Sequence, residues 1–161
     1  MVDHISNLNE LVHELETTIT HNNSKALLIR EAFIVWYILT EGAPCEQYPE
    51  KDLLRLLKKN FETYQQYYTN DTDYSFITGW MMNVAFWHFR TTFDEVYGNQ
   101  LLLKAYRNAP HNSLFKWCVR QDLGLNTHEV SRLQQEICGR FDQYYNYGPV
   151  IRNYFLNVVG R

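Results

Sequence analysis

The five residues His128 to Arg132 read HEVSR and come closest to a metal motif in this chain. Zinc proteases use H-E-x-x-H because positions i and i+4 put two imidazoles on one helix face, with the Glu between them as base. Arg132 stands where the second imidazole is needed, so the pattern fails. His4 and His13 lie nine residues apart, a spacing that does not put them on one face, and no C-x-x-C pair completes a tetrahedral set. A nucleophile would need Ser or Cys beside His in a shaped turn, and no G-x-S-x-G is present. The seven glycines are scattered, which excludes a phosphate-cradling loop, and none of the pairs among the 18 acids is singled out by its setting. The expectation is a chain with no catalytic residue, no cofactor and no metal.

Charge is more informative than chemistry. The formal net charge of −3 is uneven along the chain. Residues 1–50 hold eight acids (Asp3, Glu10, Glu14, Glu16, Glu31, Glu41, Glu46, Glu50) and two bases (Lys25, Arg30), a balance of −6, whereas residues 76–161 hold six acids and nine bases, a balance of +3. An acidic region of this kind steers basic partners and disfavours direct nucleic-acid binding. Cys45, Cys118 and Cys138 are widely spaced and read as buried thiols in a reducing compartment. The opening MVDHISNLNELVHELE lacks the charged-then-apolar layout of a signal peptide, so the expected location is the cytoplasm.

The elements that would position any site are helical throughout. Ile5, Leu8, Val12, Leu15 and Ile19 share one helix face, while Asp3, Asn7, Glu10 and Glu14 share another. Ser24 suits the N-cap of KALLIREAFIVWYILTE, an almost wholly apolar and hence buried helix, with Gly42 at its C′ position and Pro44 beyond. Pro49 opens a third helix carrying the stripe Leu53, Leu57, Phe61, Tyr64 and Tyr68, and Asp73 or a neighbour caps a fourth. Residues 93–110 form a fifth, with Gly98 as its weak point. SLFKWCVRQDLG, NTHEVSRLQQEICGRF with capping-box spacing at Asn126 and Glu129, and PVIRNYFLNVVG complete the set. The fold class is therefore all-α: one domain over residues 1–161, about eight helices in an irregular antiparallel bundle or a stack of helix pairs.

The segment TDYSFITGWMMNVAFWHF, residues 72–89, could span a membrane, line a groove or form a core. From Tyr74 to Phe89 there are only sixteen residues, Ser75, Thr78, Asn83 and His88 among them, against the roughly twenty apolar residues a membrane span requires. Its apolar side chains cover nearly the whole circumference, which predicts a central helix ending near Thr91 or Thr92. Gly79 costs about 1 kcal/mol of helix propensity relative to Ala, a cost that makes sense where a neighbouring helix crosses close to the backbone. Asn83 is expected as a hydrogen-bonding node of the core, with contact to a ligand as the competing role, and Trp80 and Trp87 are expected buried with their N–H groups satisfied.

Two phrases, FITGWMMNVAFW (76–87) and LLLKAYRNAPHNSLFKW (101–117), resemble segments of the small all-helical immunity proteins found beside bacterial contact-dependent growth inhibition toxins. The resemblance covers roughly residues 60–120. It implies a cytoplasmic protein that binds a delivered toxin domain, often a nuclease, and blocks its active site or substrate surface. Within the second phrase AYRNAPHN is similar to the end of a tetratricopeptide helix pair, although no 34-residue period repeats. The resemblance carries no binding residue with it.

The expected function is thus stoichiometric neutralisation of a basic nuclease toxin, with acidic groups taking the place of RNA phosphates. Charge and exposure select Glu10 and Glu14 on the first helix, and Tyr67, Asp71 and Asp73 around the turn before residue 74, as the contact residues. A helical adaptor that binds a peptide or helix of a protein partner is the alternative, and it predicts an exposed apolar patch between helices. An enzyme with an isolated acid or His in a helical pocket ranks last.

Overall fold

The computed structural model describes residues 8–21, 24–42, 47–89 and 94–161. Eight α-helices follow one another: α1 Leu8–His21, α2 Lys25–Glu41, α3 Glu50–Thr63, α4 Thr72–Ala85, α5 Glu95–Asn108, α6 Ser113–Cys118, α7 Thr127–Tyr144 and α8 Pro149–Val159. No strand occurs among the described residues, and one hydrophobic core links all eight helices.

Local chemistry sets most of these boundaries. Ser24 caps α2 by accepting from the Leu27 N–H, and Gly42 ends it in the left-handed region at φ 63°, where a side chain would be strained. Asn126 and Glu129 form the reciprocal capping box of α7, and Pro149 occupies the first turn of α8. Several ends differ from expectation: α6 stops at Cys118 and does not run on to Gly124. The third helix changes to a π-helical turn over Tyr64–Tyr68, and the fourth ends at Ala85 and tightens into a 3₁₀ turn, Phe86–Phe89. Residues 91 and 92, where the fourth helix was expected to stop, lie outside the described residues, as do Asp3, Ile5, Asn7, Pro44 and Cys45.

Helix α4 is the centre of the bundle: of its fourteen residues ten are buried, from Tyr74 through Met82 together with Ala85. Phe76 stacks on Phe115 at 4.3 Å and meets Tyr145 at 5.1 Å and Phe155 at 5.6 Å, so one ring ties α4 to α6, α8 and the chain leading into α8. Phe155 also receives Phe33 from α2, Trp80 and Phe141. Each such ring contributes roughly 1.5–3 kcal/mol through the apolar area it removes from water. Val12, Leu15 and Ile19 bury the inner flank of α1.

The tightest approach is between α4 and α5. A Cβ on Gly98 would lie 2.6 Å from the Asn83 backbone nitrogen, and one on Gly79 would lie 2.9 Å from the Gly98 carbonyl oxygen. Gly79 thus permits the close crossing expected of it, and Gly98 is its counterpart and not merely a weak point in α5.

Candidate partner-binding surfaces

The residues chosen from the sequence fall in separate places. Glu10 and Glu14 are exposed on the flank of α1 opposite Val12, Leu15 and Ile19. Tyr67 is 68% exposed, because the π-turn keeps Tyr64 in the core and rotates Tyr67 outward. Asp71 and Asp73 are brought together, but as structural joints.

Asp71 is the N-cap of α4. Its Oδ1 accepts from the Tyr74 N–H at 2.9 Å and its Oδ2 accepts from Lys25 Nζ, also at 2.9 Å. Asp73 accepts from the Tyr147 hydroxyl at 2.6 Å and lies 3.7 Å from the same ammonium, while its carbonyl accepts from Tyr145 Oη at 3.0 Å. Partial burial pulls the Lys25 pKa down, yet the hydrogen bond and charge of Asp71, followed by those of Asp73, leave it above its ordinary value. Burial, and then the bond to Asp73, push the Tyr147 hydroxyl up. The acidic lead-in to α4 therefore pins the start of α2 and the chain before α8 to one point. Replacing Asp71 by Ala is expected to cost about 1–2 kcal/mol in urea unfolding through the lost cap, whereas Asp71→Asn, which keeps an acceptor and loses only a partly exposed ion pair, should cost less than about 1 kcal/mol.

A buried polar network lies between α2, α3 and α4. Asn60, 3% exposed, donates through Nδ2 to the Leu28 carbonyl at 2.8 Å and to Glu31 Oε2 at 3.2 Å, and its Oδ1 accepts from the Tyr74 hydroxyl. Next to it Tyr64 Oη and Ser75 Oγ share a hydrogen bond of 3.0 Å. Burial pushes the Tyr64 hydroxyl up to about 12. Burial also raises the Glu31 carboxyl; the bond from Asn60 opposes this, the charge of Glu16 adds to it and Lys59 opposes it. A carboxyl raised in the folded state contributes stability that is full below its unfolded pKa and is lost as pH rises through the folded value. Glu31→Gln keeps an acceptor for Asn60 and cannot ionise. Its urea midpoint should therefore gain on that of the unmodified protein as pH rises from the ordinary carboxyl range through the raised folded value; a difference independent of pH would contradict this account.

A cleft of about 600 Å³ opens between the end of α4, the first turns of α5 and the chain after α6. Trp80 and Cys118 line it, together with the carboxamides of Asn83, Asn99 and Gln121. Asp94 caps α5 by accepting from the Tyr97 N–H and so sets Glu95 and Val96 at the cleft. Asn99 Nδ2 donates to Asp122 Oδ1 at 3.0 Å, and the Arg120 guanidinium lies 3.9 Å above the Trp117 ring while Nη1 donates to the Trp117 carbonyl.

Here three expectations are corrected. Asn83 is exposed at this cleft and is no core node; Trp87 is 59% exposed; and Cys138 is exposed, its residue on the outer face of α7. Helix α4 is covered as far as its crossing with α5, and beyond Met82 the flank carrying Asn83, Val84 and Trp87 emerges from the bundle. Trp80 behaves as expected, buried with its N–H donating to Tyr154 Oη at 3.3 Å. Burial raises the Cys118 thiol, against the opposing charge of Arg120. Sequence reasoning missed Glu31, Asn60 and most of the cleft. The available signals were single polar residues inside apolar helices, Glu31 in α2 and Asn83 in α4; the remaining cleft residues follow no common spacing.

Among the described residues no group of His, Cys, Asp and Glu could hold a metal ion, and no helix is long and apolar enough to cross a membrane. No family model matches the chain, and neither curated proteins nor solved structures give a match.

Proposed function

We propose that this chain is an immunity protein acting in the cytoplasm: it binds a cognate antibacterial toxin domain, of the basic nuclease class, and blocks its active site or substrate surface. The observation that carries this reading is the outer flank of α1, where Glu10 and Glu14 are both exposed on a helix anchored to the core by its opposite face. They belong to a segment of 50 residues whose balance is −6. Carboxylates on a firm helix can occupy the positions that RNA phosphates would take in a basic cleft. The two phrases that resemble immunity proteins supply core residues, Phe76, Ile77, Met81, Leu101, Leu102 and Phe115 among them.

The test pairs the protein with the toxin domain encoded beside it. Association measured by stopped flow should be fast and slowed by salt, and Glu10→Lys with Glu14→Lys should slow it by about tenfold or more. Asp71 and Asp73 are left intact because they hold the fold. Failure to inhibit that domain, or a rate indifferent to both reversals, counts against the proposal. The adaptor reading draws on a different observation, the exposure of Val84 (37%), Trp87 (59%) and Val96 (58%) about the end of α4 and the start of α5. It predicts that Trp87→Ser abolishes binding of a partner helix while the α1 variants bind normally.

A further inference from the structure

The cleft between α4, α5 and the chain after α6 has a composition that specifies its occupant. Its volume of about 600 Å³ exceeds that of one side chain and lies within the range of ligand sites. Asn83, Asn99 and Gln121 come from three different segments and meet at its wall. Each carboxamide carries both a donor and an acceptor, the complement of a peptide group, which also carries one of each.

The charged residues narrow the choice. Glu95 and Asp122 both line the cleft, and neither has an ion-pair partner among the described residues. Among the described residues the one cation in the lining, Arg120, is stacked on Trp117 and bonded to its carbonyl. The described lining thus has an excess of one carboxylate over guanidinium. Asp122 spends Oδ1 on Asn99 and keeps Oδ2 for another donor. The exposed Val96, with the edge of Trp80 that reaches the wall, offers a small apolar area, which suits the alkyl stem of a long basic side chain whose head reaches the acids.

We propose that this cleft binds a segment of a partner protein that presents an arginine side chain together with its flanking peptide groups. Glu95 and Asp122 hold the guanidinium, Val96 packs on its stem, and the three carboxamides pair with the backbone on either side. The site is separate from the α1 flank, so it stands or falls independently of the toxin reading.

The probe is N-acetylarginine N-methylamide, which carries one guanidinium between two peptide groups. Titration into the ¹⁵N-labelled protein should give saturable shifts of the Trp80 indole and the Asn83, Asn99 and Gln121 carboxamide resonances. N-acetylcitrulline N-methylamide, equal in shape and uncharged, should bind about tenfold more weakly or worse, and Glu95→Gln with Asp122→Asn should weaken the arginine probe by a similar factor. Both substitutions are isosteric at exposed positions, and an unchanged urea midpoint verifies folding; the citrulline arm needs no variant. Absence of saturable shifts up to the solubility of the probe, or equal binding of the citrulline analogue, overturns the proposal. Free arginine binding as well as the blocked probe overturns the protein-segment assignment in favour of a small-molecule site.

Discussion

Gly98→Ala is expected to destabilise the protein by about 3 kcal/mol, although the same change in an isolated helix gains about 1 kcal/mol of propensity. The new Cβ would sit 2.6 Å from the Asn83 nitrogen, 3.0 Å from the Gly79 oxygen and 3.0 Å from the Met82 carbonyl carbon. All three are backbone atoms, so no rotamer change relieves the contact and the two helices must separate along their most extensive interface. Separation strips packing from Leu101 and Leu102 on one side and from Met82 on the other, all of them 5% exposed or less. Gly79→Ala meets the same obstacle from the other helix, at 2.9 Å from the Gly98 oxygen and the Leu102 nitrogen. Gly139 in α7 is the control: a Cβ there has nothing within 4 Å, so Gly139→Ala should be neutral or stabilise by up to about 1 kcal/mol. Urea unfolding of the three variants checks the account, and a Gly98→Ala protein as stable as the Gly139→Ala protein would refute it. Asn83 and Asn99 flank this crossing, so a folded Gly98→Ala protein should also show a distorted cleft.

Asn60→Ala should cost about 3 kcal/mol or more. One substitution removes the close partner of the Tyr74 hydroxyl, which keeps only a 3.5 Å contact to the residue 60 carbonyl, and the partner of the Glu31 carboxyl, both in the core; an unsatisfied group there costs on the order of 1–3 kcal/mol. The small cavity left at a 3% exposed position adds to this. Tyr74→Phe removes a single hydroxyl and leaves only Asn60 Oδ1 short, so it should cost about 1–2 kcal/mol. The two losses overlap in the same bond, and the double variant Asn60→Ala with Tyr74→Phe should be less destabilised than the sum of the singles. Additive losses would mean that the two side chains act independently, contrary to the geometry. Loss of the Asn60 bond also removes the main influence that lowers the Glu31 pKa, so stability should fall more steeply with rising pH in Asn60→Ala than in the unmodified protein.

The local signals in the chain were legible to the extent that their causes are local. Ser24, Gly42, Asn126 with Glu129 and Pro149 act on backbone groups within four residues, and each does what its chemistry requires. The all-round apolar surfaces of α2 and α4 marked them as interior helices, because no arrangement leaves such a surface in water at low cost. The partner of an apolar face is a different matter. Gly79 announced a close crossing, but nothing near it named Gly98 as the residue that would meet it.

Polar residues were legible only in part for the same reason. A cap at the start of α4 was expected and Asp71 supplies it, but Lys25 lies 46 residues from Asp71 and Tyr147 lies 74 residues from Asp73, and no spacing announced these joints. Asn83 and Trp87 look interior by composition, and they emerge because they stand on a flank that the other helices leave uncovered, while Met82, Ala85 and Phe89 between and beside them stay buried. Helix type, the capped helix ends and most inner faces were thus determined by the sequence alone, through propensity, periodicity and capping. Which carboxylates are consumed, which face solvent and which meet in a cleft were decided by tertiary structure, since these depend on contacts between residues far apart in the chain.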